Sequence, residues 1–125
     1  MTPKEKDLLL RDLCARLPYG LKVKCEKYSF PVTILYSGNI DEVKFQETGG
    51  IENICAIKPY LFPLSSITEE QKIFLRQQKW CIAISTSGTI ETTIEGIDWL
   101  NKNHFDYRNL IDKNLAIDCT NLNIY

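Results

Sequence analysis

The sequence has little of what histidine-dependent enzymes and metal proteins require. His104 is the single histidine, so a histidine-based metal site would need carboxylate or thiolate ligands from elsewhere in the chain. The patterns GxGxxG, HExxH and GxSxG are absent, which excludes the familiar dinucleotide sites, zinc proteases and serine hydrolases. We therefore expect no metal, no cofactor and no enzymatic activity. An enzyme organised around His104 is kept as a second alternative.

Cysteines with metal-ligand spacing and long apolar runs are absent as well. Cys14 and Cys25, the closest pair, are eleven positions apart, so the five cysteines contain no CxxC motif. Their apolar neighbours predict buried free thiols in a reducing cytosol. Leu8, Leu9 and Leu10 are followed at once by charged residues, so neither a signal peptide nor a membrane span is predicted. We expect a soluble, cytoplasmic protein without a membrane partner.

A strong excess of one charge is the third absence. Fifteen basic and sixteen acidic side chains give a net charge of -1 and a pI near 5.8, so no global positive field attracts nucleic acid. The best local nucleic-acid surface is formed by Lys22, Lys24 and Lys27 beside Tyr28. With 125 residues and 44% hydrophobic content, residues 1–125 are expected to form a single domain.

Residues 1–18 are predicted to form an amino-terminal helix. Thr2 is placed as N-cap, Pro3 at the first helical position and Glu5 as the partner in a capping box. Apolar residues then recur at helical spacing. The charged side chains expected to face water are Lys6, Asp7, Arg11, Asp12 and Arg16.

Residues 21–64 are predicted to form a β-rich module that ends in a strap. Leu21, Val23 and Cys25 alternate with charged residues, as in a half-buried strand. Short strands joined by turns predict a small bent antiparallel sheet with flanking helices, an α+β fold for which an SH3-like partial barrel is one candidate. The further strand-like runs are 30–36, 42–47 and 51–57, and the turn signals are 37–39 and 48–50.

The strap is the apolar segment 58–64, which contains Pro59 and Pro63. Because proline has no backbone donor for a ladder, the segment is not expected to be a central strand. It is interpreted as an extended strap that lays Tyr60, Leu61 and Phe62 across the open end of the sheet, or that presents them to a partner.

Residues 65–125 are predicted to form a helical and mixed part. A helix is expected to begin at Thr68 with a capping box and to bury Ile73, Phe74 and Leu75. Residues 80–85 are interpreted as a strand closed by a turn at 86–88.

A third helix is expected behind the capping pattern of residues 92–95. Its apolar stripe is Ile94, Ile97 and Leu100, with His104 at its end, where an imidazole can bond the last carbonyls. Gly96 lowers helix stability by about 1 kcal/mol relative to alanine, so its presence indicates close packing.

Asp106, Tyr107 and Arg108 form a constellation with two interpretations. The trio can bind a ligand, with Arg108 as an anion fork and Tyr107 as a stacking platform. It can equally form a turn in which Asp106 caps backbone amides, while Phe105 and Tyr107 fill the core. In that second interpretation, which is favoured, Arg108 pairs with an acid such as Asp98 or Asp112.

Three stretches resemble known sequences. Residues 55–71, with the string KPYLFPLSS followed by TEEQ, and residues 97–111, IDWLNKNHFDYRNLI, are similar to small proteins encoded by gut Bacteroidales genomes, their prophages and their phages. Residues 7–23 fit the same group. The resemblance carries no activity and no catalytic residue; it implies an accessory protein of a phage or mobile element, located in the cytoplasm of a bacterial host cell.

These observations predict a non-enzymatic protein-binding or accessory protein. The partner is expected to be another protein, engaged through Tyr60 and Phe62 of the strap and through Tyr107 and Arg108. A nucleic-acid-binding small β-barrel that uses the lysines beside Tyr28 is the first alternative.

Overall fold

The computed structural model describes residues 1–35, 41–80, 82–84 and 90–125 of the chain. Helices and strands are both present among these residues, which confirms the α+β class. The helices are α1 (Pro3–Arg16), α2 (Glu69–Gln77) and α3 (Ile94–Lys102). The strands are β1 (Lys22–Cys25), β2 (Val32–Leu35), β3 (Glu42–Phe45), β4 (Ile51–Asn53), β5 (Ile57–Pro63), β6 (Ile82–Ile84), β7 (Ile90–Thr92), β8 (Phe105–Asp106) and β9 (Ile117–Asp118).

Most of the strands belong to one bent sheet with open ends. Its order is β4-β3-β2-β1-β5-β8, and β9 also pairs with β5. Neighbours from β4 to β5 are antiparallel, whereas β5 pairs in parallel with β8 and β9. The strands β6 and β7 form a separate antiparallel pair. An SH3-like barrel is not confirmed, because this sheet does not close on itself.

The first four strands lie where alternation predicts them. In β1, Val23 and Cys25 face the core and the lysines face outward, as expected from the period of two. The predicted strand 51–57 is interrupted, because the Asn53 side chain accepts a hydrogen bond from the Cys55 amide and starts a 3₁₀ turn over Ile54–Ala56. The turns predicted at 37–39 and 86–88 lie outside the described residues.

The prediction that residues 58–64 cannot be a central strand is wrong. Residues 58–63 belong to β5, which has β1 on one side and β8 and β9 on the other, and Leu64 begins the 3₁₀ turn that follows. Pro59 pairs with Val23 of β1 and precedes the first pair with β9, while Pro63 is the last residue of the strand. The two missing donors therefore fall at the margins of the parallel ladders, where a proline costs little.

The helix starts were predicted in part. The capping boxes at Thr2 and Thr68 are confirmed, each with both reciprocal hydrogen bonds. The box predicted for residues 92–95 is wrong, because Thr93 is the N-cap of α3 and its hydroxyl accepts from the Gly96 amide.

The buried faces of the helices differ from those predicted. Asp12 and Arg16 of α1 are fully buried instead of solvated. In α2 only Leu75 is buried, whereas Ile73 and Phe74 are exposed. The predicted stripe of α3 is confirmed at Leu100 and His104 but is wrong at Ile94 and Ile97, which face solvent. The buried residues within α3 are Gly96, Leu100 and Asn101.

The core consists of two clusters. The larger one packs Leu9 and Leu13 of α1 against the inner face of the sheet and against Leu110 and Leu115. The smaller one joins Ile67, Leu100 and Phe105, with Trp99 and Tyr107 packed on it. Tertiary burial of these amphipathic faces is what stabilises helices as short as α2 and α3.

Two cysteines confirm the prediction of buried thiols and two do not. Cys25 and Cys119 are buried, while Cys14 and Cys55 are exposed; Cys81 lies outside the described residues. Among the described residues, no helix combines the length and the apolar character that crossing a bilayer requires.

Candidate functional site

Tyr60 and Phe62 lie inside the fold. Tyr60 is buried in β5, and burial raises the pKa of its hydroxyl. Phe62 is half-buried, with its ring centroid 5.9 Å from that of Phe105 and 6.0 Å from that of Tyr125. Their role in binding a partner stays a prediction, but most of their apolar surface packs within the molecule.

Arg108 takes part in a buried ionic network instead of pairing with Asp98 or Asp112. Its Nη1 donates to Asp12 Oδ1 at 2.9 Å, across 96 positions of the chain. Asp12 also accepts two hydrogen bonds from Arg16, at 2.9 and 3.1 Å. The predicted pairing of Arg108 with an acid is thus confirmed, but the acid is Asp12 and not Asp98 or Asp112, because α1 supplies a carboxylate already buried beside the turn.

The remaining guanidinium donors of Arg16 reach backbone carbonyls. Its Nη2 donates to the Phe105 carbonyl at 2.6 Å, and its Nη1 donates to the Leu100 carbonyl at 3.5 Å. The Arg108 guanidinium lies 4.4 Å from the ring centroid of Tyr107, whose hydroxyl donates to Asn101. These contacts tie α1 to α3 and satisfy a buried charge, which is a structural role.

Asp106 has the capping role predicted for it. Its carboxylate accepts from the amides of Arg108, Leu110 and Ile111, at 3.3, 3.0 and 2.9 Å. A carboxylate with three backbone donors holds the turn in one conformation. Of the predicted site residues, Tyr107 and Arg108 are therefore brought together, but as parts of this turn.

His104 ends α3 in a left-handed conformation, with φ of 63°. Its amide donates to the Asn101 carbonyl, and its ring stacks on Tyr125 with centroids 3.9 Å apart. Nδ1 has no hydrogen-bond partner in the described part of the chain. Burial, with Arg16 nearby, lowers the pKa of the imidazole to about 4, so the ring is neutral at pH 7. The side-chain bond to the last helix carbonyls that was predicted is not formed.

The lysines of the alternative nucleic-acid surface are only partly grouped. Lys24 lies directly opposite Lys58 in the antiparallel pair of β1 and β5. Lys22 is half-buried on the same outward face, whereas Lys27 forms an ion pair with Glu52 at 3.4 Å. Tyr28 packs edge-on against Phe45, and its hydroxyl accepts from Thr48, so it is not a free stacking platform.

A concave feature of the described surface, lined by aromatic rings, was not predicted. We call it the aromatic cleft; it has a volume of about 470 Å³. Four aromatic side chains, two carboxylates, one ammonium and one amide line it. They are Tyr19, Phe74, Trp80, Trp99, Glu95, Asp98, Lys102 and Asn103.

One wall of the aromatic cleft comes from the end of α2. The Lys79 amide bonds to the Arg76 carbonyl and the Trp80 amide to the Leu75 carbonyl, with Lys79 left-handed at φ of 60°. This pair of bonds is a Schellman motif. The motif turns Trp80 back onto Phe74, at a centroid distance of 5.9 Å and an edge-to-face angle of 81°.

The opposite wall comes from α3. Trp99 stacks on Phe105, with centroids 5.3 Å apart and planes 13° apart, which fixes the orientation of the indole. Glu95 and Asp98 are three residues apart and Lys102 follows four residues later, so the three charges share one face of the helix. Within the described part of the chain, none of these three has a hydrogen bond or an ion pair.

No group of three metal-binding side chains occurs among the residues that the structure describes. No protein-family model, no curated protein and no solved structure matches the chain.

Sequence reasoning missed the cleft because it assigned Phe74 to the core. One signal was present: Phe74 and Trp80 are six positions apart around the end of a helix, and so are Trp99 and Phe105. That spacing is the one at which a Schellman motif brings two side chains together. The motif at the end of α2 was not recognised because position 79 is a lysine, whereas glycine is the usual residue at the left-handed position of such a helix end.

Proposed function

We propose that this chain is a non-enzymatic protein-binding protein whose partner docks at the aromatic cleft. The observation that supports the proposal is the cleft itself, which has a volume of about 470 Å³. Four aromatic side chains line it, namely Tyr19, Phe74, Trp80 and Trp99. Aromatic side chains are enriched in the cores of protein interfaces, because each buries much apolar area with little loss of conformational freedom.

Apolar side chains next in sequence to cleft residues are also exposed. Phe74 is 41% exposed, and the neighbouring Ile73 is similarly exposed. Ile94 and Ile97 precede the two acids of α3 by one position each, and Ile94 is 78% exposed. Contiguous apolar surface rimmed by charged groups marks interaction sites on soluble proteins.

The chemistry of the remaining candidates favours binding over catalysis. His104 is neutral and covered by Tyr125, and Asp12 and Arg16 have their charges satisfied internally. Burial raises the pKa of the Cys119 thiol to about 11, so this sulfur carries little thiolate at pH 7. None of these groups lines the aromatic cleft.

The biological setting of the proposal rests on sequence resemblance alone. The strings at residues 55–71 and 97–111 support an accessory role in a phage or mobile element of gut Bacteroidales. The second string contains the cleft positions Trp99 and Asn103, and the first contains the core positions Ile57 and Leu61. We propose on this basis that the partner is a protein of the bacterial host or of the same element.

Site-specific photo-crosslinking tests the proposal. Benzoylphenylalanine replaces Phe74 at the cleft, or Phe30 as a matched control, since Phe30 is 48% exposed and lies outside the cleft. In a Bacteroidales lysate we expect one discrete adduct from position 74 only, lost when Trp80→Ala is added. Equal adduct patterns from both positions, or none from position 74, would contradict docking at the cleft.

A second candidate function has one observation in its favour. Lys24 and Lys58 face each other across β1 and β5, an arrangement of like charges that costs stability unless an anion lies over it. Nucleic-acid binding at this face would be salt-dependent and would be lost in the double variant Lys22→Gln/Lys24→Gln. A gel-shift titration with single-stranded DNA at two salt concentrations measures it.

A further inference from the structure

We propose that the aromatic cleft receives an arginine side chain of the protein partner, with the guanidinium against the indole rings and paired with Glu95 and Asp98. This inference rests on the proposed function and names the chemistry of the group that enters the cleft. It is carried by three features of the described residues: the rings, the unpaired carboxylates and the ends of two helices.

The rings provide the surface on which a planar cation stacks. Trp80 and Trp99 line the cleft together with Phe74 and Tyr19. Indole has the strongest cation–π attraction of the aromatic side chains. Phe74 and Phe105 hold the two indoles by direct ring contacts, so the surface is formed before a ligand arrives.

The carboxylates supply the charge that complements a cation. Glu95 and Asp98 line the cleft from one face of α3, and neither is neutralised by a partner among the described residues. Lys102 offsets one of the two charges, so the lining retains a net charge of one negative unit. A guanidinium forms two parallel hydrogen bonds to a carboxylate, which an apolar side chain cannot do.

The helix ends add a fixed dipole of the same sign. Trp80 follows the last turn of α2, and Lys102 and Asn103 end α3, so both carboxyl-terminal ends border the cleft. Carbonyls at such ends carry a partial negative charge that favours a nearby cation.

Arginine fits this lining better than lysine does. Its planar guanidinium stacks on an aromatic ring and meets a carboxylate edge-on at the same time, and it is less strongly hydrated than an ammonium group. Phosphate groups are disfavoured by Glu95 and Asp98, so nucleic acid is not the expected occupant.

The test uses the two tryptophans as native probes, because Trp80 and Trp99 are the only tryptophans in the chain and both line the cleft. Three peptides, acetyl-Gly-Leu-Xaa-Leu-Gly-amide with arginine, lysine or citrulline at Xaa, are titrated into the ¹⁵N-labelled protein. The two indole N–H signals report binding. We expect saturable shifts with the arginine peptide and at least about tenfold weaker binding of citrulline, which has the same shape without the charge.

Charge variants distinguish specific binding of arginine from nonspecific hydrophobic binding of the peptide. Glu95→Gln/Asp98→Asn should weaken the arginine peptide about tenfold or more, and Lys102→Gln should strengthen it, with little effect on citrulline. The control is Glu26→Gln/Asp112→Asn, which removes two exposed charges away from the cleft and should leave binding unchanged. Thermal melting confirms that each variant is folded.

The outcomes distinguish this inference from the proposed function. Equal binding of the arginine and citrulline peptides, or no shift of the indole signals with any peptide, overturns the arginine site. If crosslinks from position 74 persist in that case, docking at the cleft stands and only its chemistry is wrong. If crosslinks also fail, both proposals are overturned.

Discussion

Trp80 contacts Phe74 across the end of α2, six residues earlier in the chain, with ring centroids 5.9 Å apart. Phe105 contacts Trp99 across the end of α3 at the same separation in sequence. In both helices the residue just before the second ring is left-handed, Lys79 in one and His104 in the other. The two cleft walls are therefore built by the same device, a helix end that reverses an aromatic side chain onto the previous turn.

Replacing Lys79 by glycine should stabilise the protein. Lysine at a φ of 60° carries a steric cost of about 1–2 kcal/mol, which glycine avoids, while the extra entropy of glycine in the unfolded chain returns part of that gain. We expect a net increase of about 0.5–1 kcal/mol in the free energy of unfolding, measured by urea denaturation. The control is Lys72→Gly within α2, which should destabilise by about 1 kcal/mol. A loss of stability in both variants would contradict the helix-end assignment.

Two ion pairs of the same spacing on α1 should respond very differently to neutralisation. Asp12→Asn leaves Arg16 and Arg108 without their shared carboxylate in a buried site, so we expect a loss of about 3–5 kcal/mol, up to complete unfolding. Asp7→Asn breaks an exposed pair with Arg11, so the free energy of unfolding should fall by no more than about 0.5–1 kcal/mol. Thermal and urea denaturation measure both variants. Similar small losses would show that the buried network is not needed.

Sequence periodicity alone places Asp12 and Arg16 on the inner face of α1, since they follow Leu9 by three and seven positions. The prediction nevertheless placed both side chains in water because they are charged, and a buried charge needs partners that the neighbouring sequence does not reveal. Those partners are Arg108 and the carbonyls of Leu100 and Phe105, more than eighty residues away in the sequence. Local signals such as caps and alternation were thus predictable, and burial of charge was not.

The strand β5 and the aromatic cleft were missed for related reasons. Whether Pro59 and Pro63 interrupt a ladder depends on where the neighbouring strands begin, and this is set by residues 105–118. Likewise, Phe74 was assigned to the core because it is apolar, although its partner is Trp80 at a surface helix end. An apolar residue can be predicted to pack from its type alone, but the surface on which it packs is set by tertiary contacts.

His104 should make the protein sensitive to mild acid. Its pKa is lowered from 6.5 to about 4 in the folded protein, mainly by burial, so the unfolded chain binds the proton more readily. Stability contributed by this group is complete above pH 6.5 and is lost as the pH falls toward 4, by about 3 kcal/mol in total.

The variant His104→Asn isolates that contribution. Asparagine tolerates the left-handed backbone but has no titratable side chain, so the decrease in stability between pH 7 and 4 should be smaller in the variant. At pH 7 the variant should be less stable than the parent only because it loses the ring stack on Tyr125. Urea denaturation at several pH values gives the dependence of stability on pH for the parent protein and for the variant. The carboxylates titrate in both proteins, so the difference between the two curves reports His104. Parallel curves for the two proteins would contradict a buried neutral imidazole.

Gly96 packs against Thr92 so closely that a β-carbon at position 96 would overlap the Thr92 hydroxyl oxygen. In an exposed helix, alanine is more stable than glycine by about 1 kcal/mol, but here the overlap should cost about 1–3 kcal/mol and outweigh that gain. We therefore expect Gly96→Ala to lower the free energy of unfolding, as measured by urea denaturation.

A double variant identifies the cause. The Thr92 hydroxyl oxygen is buried without a hydrogen-bond partner in the described residues, so Thr92→Ala should cost little and should remove the overlapping atom. In that background Gly96→Ala should become neutral or stabilising, as it is in an ordinary helix. If Gly96→Ala destabilises equally with and without Thr92, a contact other than this one requires the glycine, and overlap with the Thr92 hydroxyl is not the cause.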